Sequence, residues 1–123
     1  MTTFDAIDKL YNILSSQGLD VFKLVKPDGS EQEYVVINSL PISGEIIQRC
    51  LVNVNVHVKD IQVSGSTSVV NTSRLKVLAN QFENILLKNI AQDAHIYLDG
   101  QGVEDDSALG THYINFRLMC NLI

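Results

Sequence analysis

No run of apolar residues in this 123-residue chain approaches the roughly eighteen needed to cross a bilayer as a helix, so no membrane span is expected. The opening MTTFDAIDKL places two acids and a lysine before any apolar run, which predicts a chain without a secretory leader. Cysteine is scarce. Cys50 and Cys120 both fall in predicted strands and read as small buried hydrophobes of a reducing cytoplasm rather than as a disulfide framework. Basic residues are few as well, and the net charge of −5 argues against a protein that grips nucleic acid by its phosphates. It leaves room for a pore through which nucleic acid slides without sticking. The bases Lys23, Lys26, Arg49, Lys59, Arg74, Lys76, Lys88 and Arg117 are scattered among acids and form no stripe interleaved with aromatics.

Chemistry-bearing motifs are equally thin. His57, His95 and His112 show no HxH, HxxxH or CxxC spacing that would bind a metal. No serine lies in a GxSxG elbow, and neither Gly18 nor Gly65 opens a phosphate loop. The acids Asp99, Glu104, Asp105 and Asp106 lack the alternating ligand spacing of a calcium loop. The expectation is a protein that is not an enzyme and holds no cofactor or metal.

What the chain does have is alternation. In LVNVNVHVK, residues 51–59, valines at 52, 54, 56 and 58 alternate with Asn53, Asn55, His57 and Lys59. A period of two marks a strand with one face buried and one wet. The wet face is rich in amides, which donate and accept across a contact without the desolvation cost of an ion. It reads either as an ordinary solvated sheet face or as a surface that meets another protein. Residues 112–122 repeat the pattern, with Ile114, Phe116, Leu118, Cys120 and Leu122 opposite Tyr113, Asn115, Arg117, Met119 and Asn121.

Around these two strands the remaining elements follow. A first helix over about 3–16 is capped by Thr2 or Thr3, with Asp5 completing a capping box, a stripe of Ile7, Leu10, Tyr11 and Leu14, and Gly18 as its stop. A hairpin follows, from Val21–Val25 through the KPDGS turn to Tyr34–Ile37, with Pro41 ending the second strand. A short turn over 42–45 leads into a long strand over about 46–59. Residues 61–70 are small and polar and predict an irregular connection. Asn71, Thr72 or Ser73 caps a second helix over about 72–89, whose stripe is Leu75, Leu78, Ala79, Phe82, Ile85 and Leu86. A short strand over 95–98 precedes a long acidic loop over 99–111, which would be a docking or ordering element.

The order α-β-β-β-α-β-β predicts one α+β domain over residues 1–123, with a single, mostly antiparallel sheet of four or five strands and both helices on one face. The other face would then hold Asn53, Asn55, His57, Asn115 and Arg117, the candidate subunit interface. Asp99, Glu104, Asp105 and Asp106 form the candidate docking loop.

This arrangement, carried by FDAIDKLYNIL, the hairpin around KPDGS with YVVINSLP, CLVNVNVHVKD, RLKVLANQFENILLKN, and the pair AHIYLD and HYINFRLMCNL, resembles the small tail-completion and tail-terminator proteins of long-tailed phages and prophages, which also occur among head–tail joining components. The resemblance covers nearly the whole chain but rests on pattern and size, so no functional residue carries across by position. It implies a structural homo-oligomer, a ring of about six subunits, docking on the phage tail tube or head–tail connector, with DNA at most passing through its channel. Such a protein would be cytoplasmic during assembly and part of the virion afterwards. The alternative is a cytoplasmic binding module for a small ligand or a single protein partner, with a pocket between the sheet and the loop over 99–111. An enzyme would need the histidines and loop acids to converge in one cleft.

Overall fold

The computed structural model describes residues 2–29, 32–42, 49–65, 67–91, 93–106 and 110–122, with the side chains of 41 and 42 excepted. Its elements are α1 (Thr3–Leu14), β1 (Asp20–Lys23), β2 (Glu33–Ile42), β3 (Arg49–Lys59), β4 (Ile61–Gln62), β5 (Ser68–Val69), α2 (Thr72–Ile90), β6 (Ile96–Asp106) and β7 (Thr111–Asn121). The fold is α+β, with a five-stranded sheet in the order β1-β2-β3-β7-β6 and a separate β4–β5 ribbon. None of the described helices is long and apolar enough to cross a membrane.

Local chemistry sets the helix starts. The Thr2 hydroxyl accepts from the Asp5 N–H at 3.2 Å while Asp5 accepts from the Thr2 N–H at 2.7 Å, the reciprocal box that occupies two orphan donors. Those bonds hold the Asp5 carboxyl below its ordinary pKa. Asn71 caps α2 by accepting from the Arg74 N–H. α1 ends at Leu14, short of the expected residue 16, and Gly18 is not its stop. With φ of 87°, Gly18 instead turns the chain into β1.

Both helices lie on one face of the sheet and close the core over it. Ala6, Ile7, Leu10 and Leu14 of α1 and Leu75, Leu78, Phe82, Leu86 and Ile90 of α2 pack on Val35 and Ile37, on Cys50 to Val58 at every second residue, and on Ile114, Phe116, Leu118 and Cys120. Lys9 pairs with Asp93 and Lys23 with Asp8, which ties α1 to the chain beyond α2 and to β1. Arg74 grips Glu33 through two nitrogens, pinning the start of α2 to the start of β2.

Four strand expectations change. β1 and β2 are parallel neighbours, Asp20 opposite Tyr34 and Lys23 opposite Ile37, so the KPDGS segment belongs to a crossover rather than a hairpin. A dozen residues usually span such a crossover, but β1 is an edge strand of only 4 residues, so the connection has little length to retrace. Pro41 does not end β2, which runs on to Ile42. Ile37 shares Pro41's parity and offers its carbonyl to Leu24 on the outer side, away from β3. The missing N–H of Pro41 therefore falls on the free edge, where no ladder bond is lost. Residues 61–70 include the small β4–β5 ribbon, closed by the Val63 N–H donating to the Thr67 carbonyl at 2.9 Å. Of the expected turn over 42–45, Ile42 belongs to β2, and residues 43–45 together with the first residues of the long strand, 46–48, lie outside the described residues.

The largest difference is the acidic loop. Residues 99–106 are strand, the greater part of an eleven-residue β6 paired with β7 down to Asp106–Thr111, and residues 107–109 of the expected loop lie outside the described residues. Acids and glycines have poor strand propensity, yet on an edge strand that same composition discourages pairing with stray chains. A bulge at Asp99, between the Leu98 and Gly100 pairs, adds local twist to the edge.

β3 and β7 are central neighbours, which sets Cys50 directly opposite Cys120. Both thiols are free and buried. Burial and the neighbouring Cys50 push the Cys120 thiol up to about 12, so at neutral pH it stays protonated and unreactive.

Candidate functional site

The sheet face away from the helices is the molecule's open polar surface. Sheet register arranges its side chains in rows running across the strands. The first row is Tyr34, His57, Tyr113 and Glu104. The second is Val36, Asn55, Asn115 and Gly102. The third is Asn38, Asn53, Arg117 and Gly100, and the fourth is Leu40, Leu51, Met119 and Tyr97.

The first row is an aromatic stack. The His57 ring lies 4.6 Å from Tyr34 on one side and 4.6 Å from Tyr113 on the other, and Phe22 of β1 meets Tyr34 edge-on. The Lys26 ammonium sits 4.9 Å from the centre of the Tyr34 ring. This packing buries His57 and Tyr34 although no helix covers them. The Tyr113 hydroxyl donates to Glu104 at 2.7 Å, and that bond pushes its pKa up to about 12. His57 Nδ1 lies 3.1 Å from the buried Thr111 hydroxyl. Burial lowers the His57 pKa below 6.5, against the pull of Asp106 and with a contribution from Lys26.

That shift has a testable consequence. The unfolded chain takes up the His57 proton near pH 6.5, whereas the native stack resists it, so the unfolded state binds more protons in the window just below 6.5. The stabilisation is complete above that pH and is lost as pH falls. Urea midpoints measured at about pH 7.5 and about pH 5.5 should drop for the wild type and drop less for His57→Gln. Equal drops would mean that His57 is not the titrating group.

The second and third rows form an amide ladder. Asn53 Nδ2 donates to Asn38 Oδ1 at 3.0 Å. Asn115 Nδ2 donates to Asn53 Oδ1 at 3.0 Å and to Asn55 Oδ1 at 2.7 Å. Four amides from three strands are thereby joined side chain to side chain across the sheet face. Toward the edge, the ladder runs onto Gly100 and Gly102. A methyl built on either would meet nothing within 4 Å, and neither has a positive φ. Their own chain gives no steric reason for glycine, and both weaken the strand. They leave the face flat beside Arg117.

All five expected interface residues, Asn53, Asn55, His57, Asn115 and Arg117, stand on this one face. The four acids do not act as a group. Glu104 and Asp106 share the open face, Asp105 projects to the helix side, where it lies 3.8 Å from His112, and Asp99 occupies the bulge. Asn38, Tyr34, Tyr113 and the apolar fourth row were not among the expected site residues. YVVINSLP does carry a period of two that places Tyr34, Val36, Asn38 and Leu40 together, but no sequence rule says which strand lies beside which.

Above the stack lies a shallow basin of about 310 Å³ lined by Lys26, Tyr34, Asn38, Asn55, His57 and Asp106 among others. Among the described residues no group of three or more histidines, cysteines or acids could hold a metal. His57 and Thr111 are both largely buried, while His57 also lines the basin. The face is suited to multiple shallow hydrogen bonds and stacking. No protein-family model matches this chain, and no curated protein is significantly similar to it.

Proposed function

We propose that this chain is a structural assembly subunit, of the ring-forming kind found at phage and prophage tail termini and head–tail joints, and that the open sheet face with its β6 edge is an assembly surface. The observation that carries the reading is Gly100 and Gly102 beside the amide ladder. Two strand-weakening residues without a local steric role are explained by close approach of another chain. The unpaired outer side of β6 and the exposed Leu40 and Tyr97 of the fourth row add to it. Ring contacts are heterologous, so two different surfaces of each subunit must match. Within such a ring, the acids of β6 would give a channel or docking rim a negative sign, over which DNA passes without adhering. The protein would gather in the cytoplasm and end in the virion, and it needs no enzymatic activity or cofactor.

The test is light scattering on size-fractionated protein over a wide concentration range, alone and with purified tail tube. A closed oligomer of about six, or stoichiometric binding to tube ends, supports the reading. Arg117→Glu, an exposed change, is expected to weaken assembly by about tenfold, the loss of one interface anchor. Assembly indifferent to this change and to charges placed at Asn53 and Asn55 would remove the open face from the interface.

The basin over Tyr34 and His57 favours a second reading, a binding module for a small ligand or one protein partner. It predicts a monomer or twofold dimer in the same experiment.

A further inference from the structure

The chain has two cysteines, and the fold sets them face to face. Valine fills the next four inward positions of β3, at 52, 54, 56 and 58, and Ile114, Phe116 and Leu118 fill the inward positions of β7 that lead to Cys120. Both runs break at the same rung, where Cys50 is 1% and Cys120 0% exposed. Val52 and Leu118 fill the adjoining rung, so burial does not by itself call for sulfur on both strands.

The rung has the spacing that a disulfide needs. The Lys59 N–H donates to the Gln32 carbonyl, so odd residues of β3 bond to β2 and even ones to β7. The Asn121 N–H donates to the His95 carbonyl on the β6 side, so even residues of β7 bond to β3. Cys50 and Cys120 therefore form a rung of the hydrogen-bonded kind, with Cα atoms about 5.5 Å apart, inside the range of about 4.4–6.8 Å that disulfides span. Opposite Cβ atoms stand about 4.5–5.5 Å apart where a disulfide takes about 3.5–4.5 Å, so closing the bond draws the strands together and leaves it readily reduced. The pair also lies next to the end of the ladder, since Arg49 opposite Asn121 is its last described rung. Ladder ends open most readily, which gives a small oxidant a route that the closed core denies it.

We propose that Cys50 and Cys120 are an oxidation site, a reversible cross-strand disulfide that peroxide closes between β3 and β7. The inference goes beyond the assembly reading and does not depend on it. Burial and the neighbouring Cys50 hold the Cys120 thiol protonated, so Cys50 reacts first. Its sulfur attacks one peroxide oxygen: an S–O bond forms, the O–O bond breaks, and the second oxygen leaves as water with the thiol proton. The Cys120 sulfur then displaces the oxygen from Cys50. The S–S bond forms, the S–O bond breaks, and the Cys120 proton leaves with the hydroxyl as a second water. The thiol pair gives up two electrons in all, and one peroxide is reduced.

The test uses the folded wild type. After brief exposure to hydrogen peroxide and quenching with catalase, the protein is unfolded, alkylated and cut with trypsin, which frees residues 50–59 and 118–123 as the two cysteine peptides. These should appear joined, two hydrogens lighter than their sum and with or without oxygen on Met119, and dithiothreitol should separate them. Cys120→Ala should leave Cys50 to advance to sulfinic acid, while Cys50→Ala should leave Cys120 a free thiol, with circular dichroism verifying both folds. Should either variant unfold, the wild-type peptide map decides alone. Both wild-type thiols still open to alkylation, or Cys50 oxidised without a bond, would overturn the proposal. So would a joined peptide pair found only in chains oxidised in urea, or a bond between two chains, seen as a dimer on a non-reducing gel.

Discussion

Phe82→Ala is expected to lower the stability of this domain by about 3–5 kcal/mol, a large share of the roughly 5–15 kcal/mol that holds a typical domain folded. Phe82 is fully buried at the middle of α2, inside the cluster that joins both helices to the central strands. Removing its ring leaves a cavity that the rest of that cluster cannot fill without moving the helix off the sheet. Thermal denaturation should show the midpoint falling by about 10–20 °C. Val77→Ala, on the exposed side of the same helix, should shift it only slightly, because that side chain is 53% exposed. Comparable losses from the two changes would mean that α2 does not present its 75-78-82-86 stripe to the sheet.

The second large effect is expected at Asn115. Its amide nitrogen donates to the side-chain oxygens of both Asn53 and Asn55, and the residue is nearly buried on the open face. Asn115→Asp keeps the shape but replaces the donor with an acceptor, so a carboxylate oxygen faces two carbonyl oxygens. Unmade buried hydrogen bonds cost about 1–3 kcal/mol, and more where the group is charged. Denaturant unfolding should therefore report at least that loss near neutral pH. Asn80→Asp, on the exposed side of α2, serves as the control for adding one negative charge and should change stability by less than about 0.5 kcal/mol. An Asn115→Asp variant as stable as that control would show that the ladder contributes no net stability.

These two residues also mark how differently core and surface could be read from sequence. The stripe containing Phe82 follows from 3.6-residue periodicity alone, since only one face of that helix is apolar enough to bury. The alternation of residues 51–59 and 112–122 likewise sorts valines inward and amides outward before any partner is known. Both helices, the two central strands and the common face of Asn53, Asn55, His57, Asn115 and Arg117 agree with that reading. The acids of β6 misled it for a definite reason. Residues 99–106 have the composition of a loop, and they hold strand geometry because β7 supplies a full ladder on one side. Likewise β1 met the criteria for a hairpin arm, yet it pairs in parallel, because pairing direction depends on where the crossover returns rather than on the turn residues within it.

Period and capping chemistry are local, so the sequence by itself determined which residues form helices and central strands and which side of each faces inward. Adjacency is not local. Only the tertiary structure decided that Cys50 lies opposite Cys120, that His57 is stacked between Tyr34 and Tyr113, and that Asn38 joins a ladder with Asn53 and Asn115. Residues tens of positions apart meet because two strands share a register, and register is chosen by the whole buried face at once.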